Sequence, residues 1–404
     1  MLDFRPPADS DWPAFVAEME ETFIETFNGG AGDAMRAMGD FARPIAGFDG
    51  ERIEATAGAY RHVMQVPGGA MPCTGITWIT VSARWRRRGV LTELMRRLHE
   101  AGAAAGEPIA ALYAAEGPIY GRFGFGVAAR SVRLRVATRD LGLLPVPPGR
   151  VVEVPADEAL ARFPPVFDAA VSGRPGVVTR DARWWGRIVR GYERPATGWH
   201  AARYLVYVDA AGRDRGIAVV RLKGKEKLLS FDGRCRVNEL HAVDAEAASA
   251  LWRYAGSFDL VTSVSARMRP SDDPLPFMLP DIRSVRVVAD EEVWVHVTDP
   301  VAALSGRRYL GDGVLTLRVA DASWPRAAGT YRLEVSGGVG SCSRVEAEPD
   351  LEMDAANLGA IYLGDTNPVQ LEAAGRVVAR RPGAAEDAAR VFGWTPAAWG
   401  PDMW

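Results

Sequence analysis

Apolar and polar positions follow different rhythms along this chain, and each change of rhythm marks an element. Residues 43–68, "RPIAGFDGERIEATAGAYRHVMQVPG", read as two or three strands joined by glycine-containing turns, with Asp49–Gly50 as the hairpin signal. "CTGITWITVS" (73–82) is rich in β-branched residues and predicts a buried strand. From Arg88 the period becomes helical: Val90, Leu91, Leu94, Met95 and Leu98 share one face, while Arg96, Arg97 and Glu100 share the other. "EPIAALYAA" (107–115) is the next strand, apolar enough to be covered on both faces. "GPIYGRFGFG" (117–126) reads as a short turn or helix that leads into the alternating strand "SVRLRV" (131–136).

Two proline-rich stretches, "LLPVPPGR" (143–150) and "RPSDDPLPFMLPD" (269–281), end elements, because proline removes a backbone donor and biases the preceding residue towards extended backbone. Between them "RYLVYVDA", "GIAVVRLK" and "LVTSVSARM" predict strands around a helix at "DAEAASALWRYAGS", with no phosphate loop. The last part opens on "EEVWVHVTDPVAALSG" (291–306), is rich in strands, and closes on Trp394, Trp399 and Trp404. Large aromatics at a terminus predict a docked end rather than a frayed one.

A chain of 404 residues is too long for one ordinary core, so two or three domains are expected. The net charge of −3 argues against a general nucleic-acid binder and makes the arginine cluster a local feature. Cys73, Cys235 and Cys342 form no CxxC pair and suit a reducing compartment. No signal-peptide pattern opens the chain and no apolar run is long enough to span a bilayer, so a cytoplasmic protein without membrane contact is expected.

The local feature is "ITVSARWRRRGV" (79–90), a strand, an arginine loop ending in Gly89, and a helix. A helix N-terminus carries unpaired N–H groups and a partial positive charge, so it favours an anion. Gly89 lets backbone approach closely, and Arg86, Arg87 and Arg88 are permanently charged forks suited to phosphate oxygens. No GKS or GKT follows, and "GRFGFG" stands before a strand rather than a helix, so neither a Walker loop nor a dinucleotide fingerprint is present. On these residues alone a phosphate cradle and a solvated basic patch are equally good readings.

The wider context separates them. "VSARWRRRGVLTELMRRLHE" followed by "IAALYAAEGPIYGRFGFG" resembles the enhanced intracellular survival (Eis) family of GNAT N-acetyltransferases. That resemblance implies an α/β (α+β) chain with two tandem GNAT-like acyltransferase domains with mixed sheets, over 1–145 and 146–290, the second without a cofactor motif. A sterol-carrier-like α+β domain over 291–404 would follow and supply the terminal carboxylate. It further implies acetyl-CoA as co-substrate, an amine acceptor (aminoglycoside, polyamine or lysine-type), and a homohexamer. Ile79, Thr80 and Val81 would face the pantetheine arm and thioester; Arg86, Arg87, Arg88, Gly89, Val90, Leu91 and Thr92 would hold the pyrophosphate; Ala115 and Glu116 would line the opposite side. Tyr120 would be the general acid, the carboxylate of Trp404 the general base, and Phe23, Glu25, Met35 and Trp78 the acceptor pocket. The chain departs from the pattern at Leu91, where GNAT proteins at large prefer Gly or Ala, at Ala115, where Ser is common, and at Met35, near which the family often has Trp.

These roles match the chemistry. A primary amine must lose its proton before it attacks a thioester, and a nearby carboxylate takes it; the departing thiolate needs a proton, and a tyrosine hydroxyl donates one. The histidines at 62, 99, 200, 241 and 296 form no HExxH or close cluster along the sequence, so no metal is expected, and no GxSxG indicates a hydrolase. The rival readings are a CoA- or lipid-binding module without catalysis and a transferase of longer acyl chains.

Overall fold

The β-branched run at 73–82 becomes the middle of a sheet. In the computed structural model, which describes residues 1–24, 42–193, 198–224, 226–227 and 230–404, β1 (Asp3–Arg5), β2 (Ile45–Asp49), β3 (Arg52–Val66), β4 (Gly69–Val81), β5 (Ile109–Tyr113) and β6 (Gly126–Val127) belong to one sheet. Its order is β1-β2-β3-β4-β5, then strand Val293–Val297, then β6. β2 and β3 form the expected hairpin around Gly50 (φ +62°), a conformation glycine adopts without steric cost. β4 and β5 are parallel, so the chain crosses over between them through helix α2 (Val90–Ala104).

Helices cover both faces. α1 (Trp12–Phe23) packs Trp12, Phe15 and Met19 with Phe48, Ile53 and Trp78 on one side. On the other, Val90, Leu94, Met95 and Leu98 of α2 pack against Ala55, Ala57, Ala59, Ile76, Ala110 and Leu112. Ile76 and Trp78 are two residues apart yet lie in different clusters. A bulge explains this: Thr80 opposes Thr56 while Thr77 opposes Gly58, and Trp78 takes a left-handed backbone (φ +55°).

Two compact units result. The first holds Met1–Ala129, Gly173–Thr179 and Glu291–Trp404; the second holds Arg130–Ser172 and Arg180–Asp290. Two strands therefore join sheets away from their neighbours in sequence. "VWVHV" pairs antiparallel with β5 from Val293–Tyr113 to Val297–Ile109, closing the open side of a strand buried on both faces. "SVRLRV" instead joins the second unit, pairing with Val261–Pro270. That unit's sheet again contains a parallel pair, Gly233–Ala242 with Val261–Pro270, crossed by helix Ala245–Ala255. Here the helix start is occupied by its own cap, Asp244, which accepts from Ala247 N at 2.8 Å.

The first unit also carries the C-terminal sheet, in the order Val339–Arg344, Gly329–Ser336, Gly313–Ala320, Leu351–Asp354 and Val377–Ala379. Helix Ala355–Tyr362 joins it to the first sheet at backbone distance. A Cβ on Gly126 would stand 1.7 Å from Ala356 O, and one on Gly359 would stand 2.0 Å from Val295 O. All three cysteines are free and buried, and no helix among the described residues is long and apolar enough to cross a membrane.

Candidate active site

The pairing of β4 with β5 covers only Cys73–Gly75 and Ile109–Ala111. Both strands continue beyond it, to Val81 and Tyr113, and a cavity of about 980 Å³ opens along their ends. Small-molecule sites usually measure about 300–1,000 Å³, so this one takes a large ligand. Ile79 and Val81 line one wall, Ala115 and Glu116 the other. Among the described residues no strand pairs with β4 beyond Gly75 on its β5 side, which leaves backbone groups there for an extended ligand.

The arginine loop closes one end. Arg86, Arg87, Gly89, Val90, Leu91 and Thr92 all line the cavity. Arg87 (φ +60°) and Gly89 (φ +79°) take left-handed backbone, a tight turn that delivers the first turn of α2 to the cavity. Elsewhere in this region the arginines are already neutralised: Arg84 pairs with Glu54 at 3.3 Å, and Arg96 and Arg97 pair with Glu93 at 2.6 Å each. Hydrogen bonds from Arg96, joined by Arg97, hold the Glu93 carboxyl at about 2 despite its partial burial. Among the described residues, Arg86, Arg87 and Arg88 have no carboxylate partner. The donors and charge at this end therefore fit a polyphosphate.

Tyr120 forms the opposite wall, at the end of α3 (Gly117–Tyr120). Burial first, and then the charge of Glu116, raise its hydroxyl above the ordinary tyrosine value, so it keeps its proton at neutral pH. Phe23 and Thr22, from the last turn of α1, complete the rim.

Four of the named residues lie elsewhere. The Thr80 hydroxyl turns inward to Thr56 Oγ1 at 2.8 Å, Arg88 stands over the Trp85 ring at 5.1 Å, and Trp78 packs against Trp12 and Phe15. Trp404 is buried with its indole edge-on to His62 (4.7 Å) and Tyr113 (4.8 Å), two residues before Ala115. Glu25 and Met35 lie outside the described residues.

The cavity also takes Trp85, Ile119, Arg122 and Phe123, which were not among the expected site residues although Arg122 and Phe123 stand two and three positions after Tyr120 in its motif. Ala322 and Ser323, from the C-terminal part of the chain, line it too, and no local signal marks them. His99 and His296, 197 positions apart in the sequence, come together in the fold, with Nε2 and Nδ1 at 3.1 Å. Among the described residues no group of three or more His, Cys, Asp or Glu is arranged to hold a metal.

Three stretches match known domain families: an acetyltransferase (GNAT) domain at residues 3–128, a second at 176–301, and a sterol carrier protein domain at 300–401. Fold and cavity together thus define a GNAT-type N-acetyltransferase, an enzyme class that uses acetyl-CoA. An uncharacterized N-acetyltransferase of Streptomyces avermitilis is 33% identical over 416 residues, covering 100% of this chain and 98% of its own. The N-acetyltransferase Eis of Mycobacterium tuberculosis is 29% identical over 386 residues, 92% of each chain. The crystal structure of Eis1 from Mycobacterium abscessus superposes with a TM-score of 0.84 at 27% identity, over the whole of both chains. The chain belongs to the Eis family of GNAT N-acetyltransferases.

Proposed function

We propose that this enzyme acetylates primary amines of aminoglycoside, polyamine or lysine type, with Tyr120 as proton donor and the carboxylate of Trp404 as proton acceptor. The observation that carries the reading is that one cavity joins the arginine-rich start of α2 to Tyr120. Acetyl-CoA, when bound, supplies an acetyl group activated as a thioester.

The chain's own groups do the rest. The first-turn N–H groups of α2, with Arg86 and Arg87, hold the phosphates at one end. The unpaired edge of β4 from Ile79 to Val81 orients the extended arm and directs backbone N–H groups at the acetyl oxygen, where negative charge develops. Tyr120 Oη, kept protonated by burial and by Glu116, delivers its proton to the departing sulfur. The carboxylate of Trp404 takes the proton of the attacking amine, and Phe23, Glu25 and Met35 form the acceptor side, with Trp78 supporting β4 through its packing on Trp12 and Phe15. The same reading divides the chain into domains 1–145, 146–290 and 291–404, and makes it a cytoplasmic homohexamer, which light scattering checks.

The test mixes the protein with acetyl-CoA and a panel of amines, kanamycin-type and polyamine included, and follows free thiol. Amine-dependent thiol release is expected. Binding of CoA without release for any amine would turn the reading into that of a binding module.

A further inference from the structure

Ala322 and Ser323 belong to the loop that follows strand Gly313–Ala320, and that loop is wound around Asp321. Asp321 Oδ1 accepts from Ser323 N (3.0 Å), Ser323 Oγ (2.8 Å) and Trp324 N (2.8 Å). Its other oxygen, Oδ2, meets His296 Nε2 at 2.7 Å, and His296 Nδ1 meets His99 Nε2 at 3.1 Å. The chain of bonds is closed to water: His99, His296 and Asp321 are 2%, 0% and 7% exposed. His99 Nδ1 is buried with no partner.

The proton positions follow from the end of the chain. An ionised Asp321 only accepts, so His296 Nε2 donates to it. In the neutral tautomer of His296, Nδ1 is a bare acceptor, and His99 Nε2 donates to it in turn. His99 Nδ1 is left as a lone pair, which is the atom that stands alone. One set of neutral tautomers satisfies every contact. His99 lies on α2, seven residues after Thr92, so this line of bonds ties the Ser323 loop to the helix whose first turn lines the same cavity.

The Ser323 hydroxyl has one hydrogen, and Asp321 Oδ1 accepts it. Two lone pairs remain, so towards the cavity this group is an acceptor only. It recognises an N–H or O–H and disfavours a phosphate oxygen. Acetyl-CoA carries such donors in its amides, its hydroxyls and its adenine amine, while its phosphates match the arginine end.

We propose that Ser323 is a co-substrate-binding residue supplied by the C-terminal part of the chain, accepting a hydrogen bond from an N–H or O–H of acetyl-CoA, with Asp321, His296 and His99 as positioning residues. This rests on the reading of the cavity as the acetyl-CoA site. The test is calorimetric titration of CoA into the protein, beside steady-state kinetics. Ser323→Ala should weaken CoA binding about 3- to 10-fold, the net worth of one neutral hydrogen bond, and raise the KM for acetyl-CoA without changing kcat. Ser323→Thr, which keeps the hydroxyl, should restore binding, and Ser323→Trp should weaken it further than Ala. Asp321→Asn sets an amide N–H donor against His296 Nε2 in place of the accepting oxygen, so it should weaken CoA binding in the parent but by less than about 2-fold in the Ser323→Ala background, because it acts only through the placement of Ser323. A purely structural Asp321 would instead weaken both backgrounds equally and end its positioning role. Ser323→Ala and Ser323→Trp proteins that bind CoA as tightly as the parent would overturn the proposal, and these half-buried-site variants decide it even where Asp321→Asn does not fold. A parent that binds no CoA would overturn the cavity reading itself, a separate result from a binding parent with indifferent variants.

Discussion

The run "YGRFGFG" contains three glycines with different surroundings, and substituting each with alanine separates packing from motif. At Gly126 the added Cβ would stand 1.7 Å from Ala356 O and 2.7 Å from Ala360 N, both backbone atoms of helix Ala355–Tyr362. Real Cβ atoms essentially never come within 3.0 Å, so the helix must retreat from 1.7 Å to at least 3.0 Å, a movement of 1.3 Å or more. It has little freedom to do so. Every residue of that helix is buried, and Gly359 already lies against Val295 O. Overpacking commonly costs about 1–3 kcal/mol, and a clash of backbone with backbone belongs at about 3. At about 2–4 °C per kcal/mol for a unit of 150–250 residues, Gly126→Ala should melt roughly 6–12 °C lower by calorimetry or near-ultraviolet circular dichroism. Gly121→Ala is the control: its backbone is helical (φ −57°) and nothing lies within 4 Å of the added carbon. It should be neutral or stabilising by about 0.4–1 kcal/mol. Gly124→Ala should destabilise too, since it combines φ +82° with a carbon 2.6 Å from Nε2 of the buried His296 ring, which Asp321 and His99 hold on both sides. A Gly126→Ala protein that melts within about 2 °C of the parent would refute the argument that the last glycine of the run exists to seat this helix.

Other substitutions test the chemistry. Tyr120→Phe should lower kcat by about 10²- to 10⁴-fold while leaving CoA affinity unchanged, and an unaltered rate would remove Tyr120 from proton transfer. Residues appended after Trp404 should lower turnover but not CoA binding, because its ring is held between His62 and Tyr113 and the carboxylate loses its place; a fully active extended protein would remove the terminal base. The pH dependence of stability has a definite sign. Burial, and then the proximity of His296, keep His99 well below the ordinary histidine pKa, so the folded form leaves it neutral while the unfolded chain takes up a proton below about 6.5. Melting temperature should therefore fall as pH drops from 7.5 to about 5.5, with His241, lowered mainly by burial in the second unit, adding in the same direction. His99→Gln should flatten part of that slope, and a slope it leaves intact would count against a neutral buried His99.

What the sequence made legible is what is written in contiguous residues. The Asp49–Gly50 hairpin, the buried strand at 73–82, the helical period from Val90 and the arginine loop between them each depend on local rules, and each appears in the structure. The exchange of "VWVHV" and "SVRLRV" between sheets is not local: an apolar strand announces that it needs neighbours, not which ones. The meeting of His99 with His296, and the arrival of Ser323 in the cavity, follow from that exchange and share its invisibility. Val293–Val297 both places His296 behind α2 and starts the segment that returns with Asp321.

The bulge in β4 accounts for the remaining differences. Strand alternation puts Ile79 and Val81 on one face and Thr80 on the other, so Thr80 turns its hydroxyl to Thr56 while its neighbours line the cavity. Alternation alone would also place Trp78 with Ile76, on the α2 side. The left-handed residue at Trp78 reverses the phase, sending that ring to α1 and presenting Ile79 where an even-numbered residue would otherwise stand. A non-glycine residue at φ +55° is held there at a cost of about 1–3 kcal/mol, and the packing of Trp78 against Trp12, Phe15 and Tyr60 offsets it. The acceptor-side role expected of Trp78 is thus better understood as support. Its ring anchors the bulge, the bulge sets the phase of Ile79 and Val81, and those two residues face the co-substrate cavity.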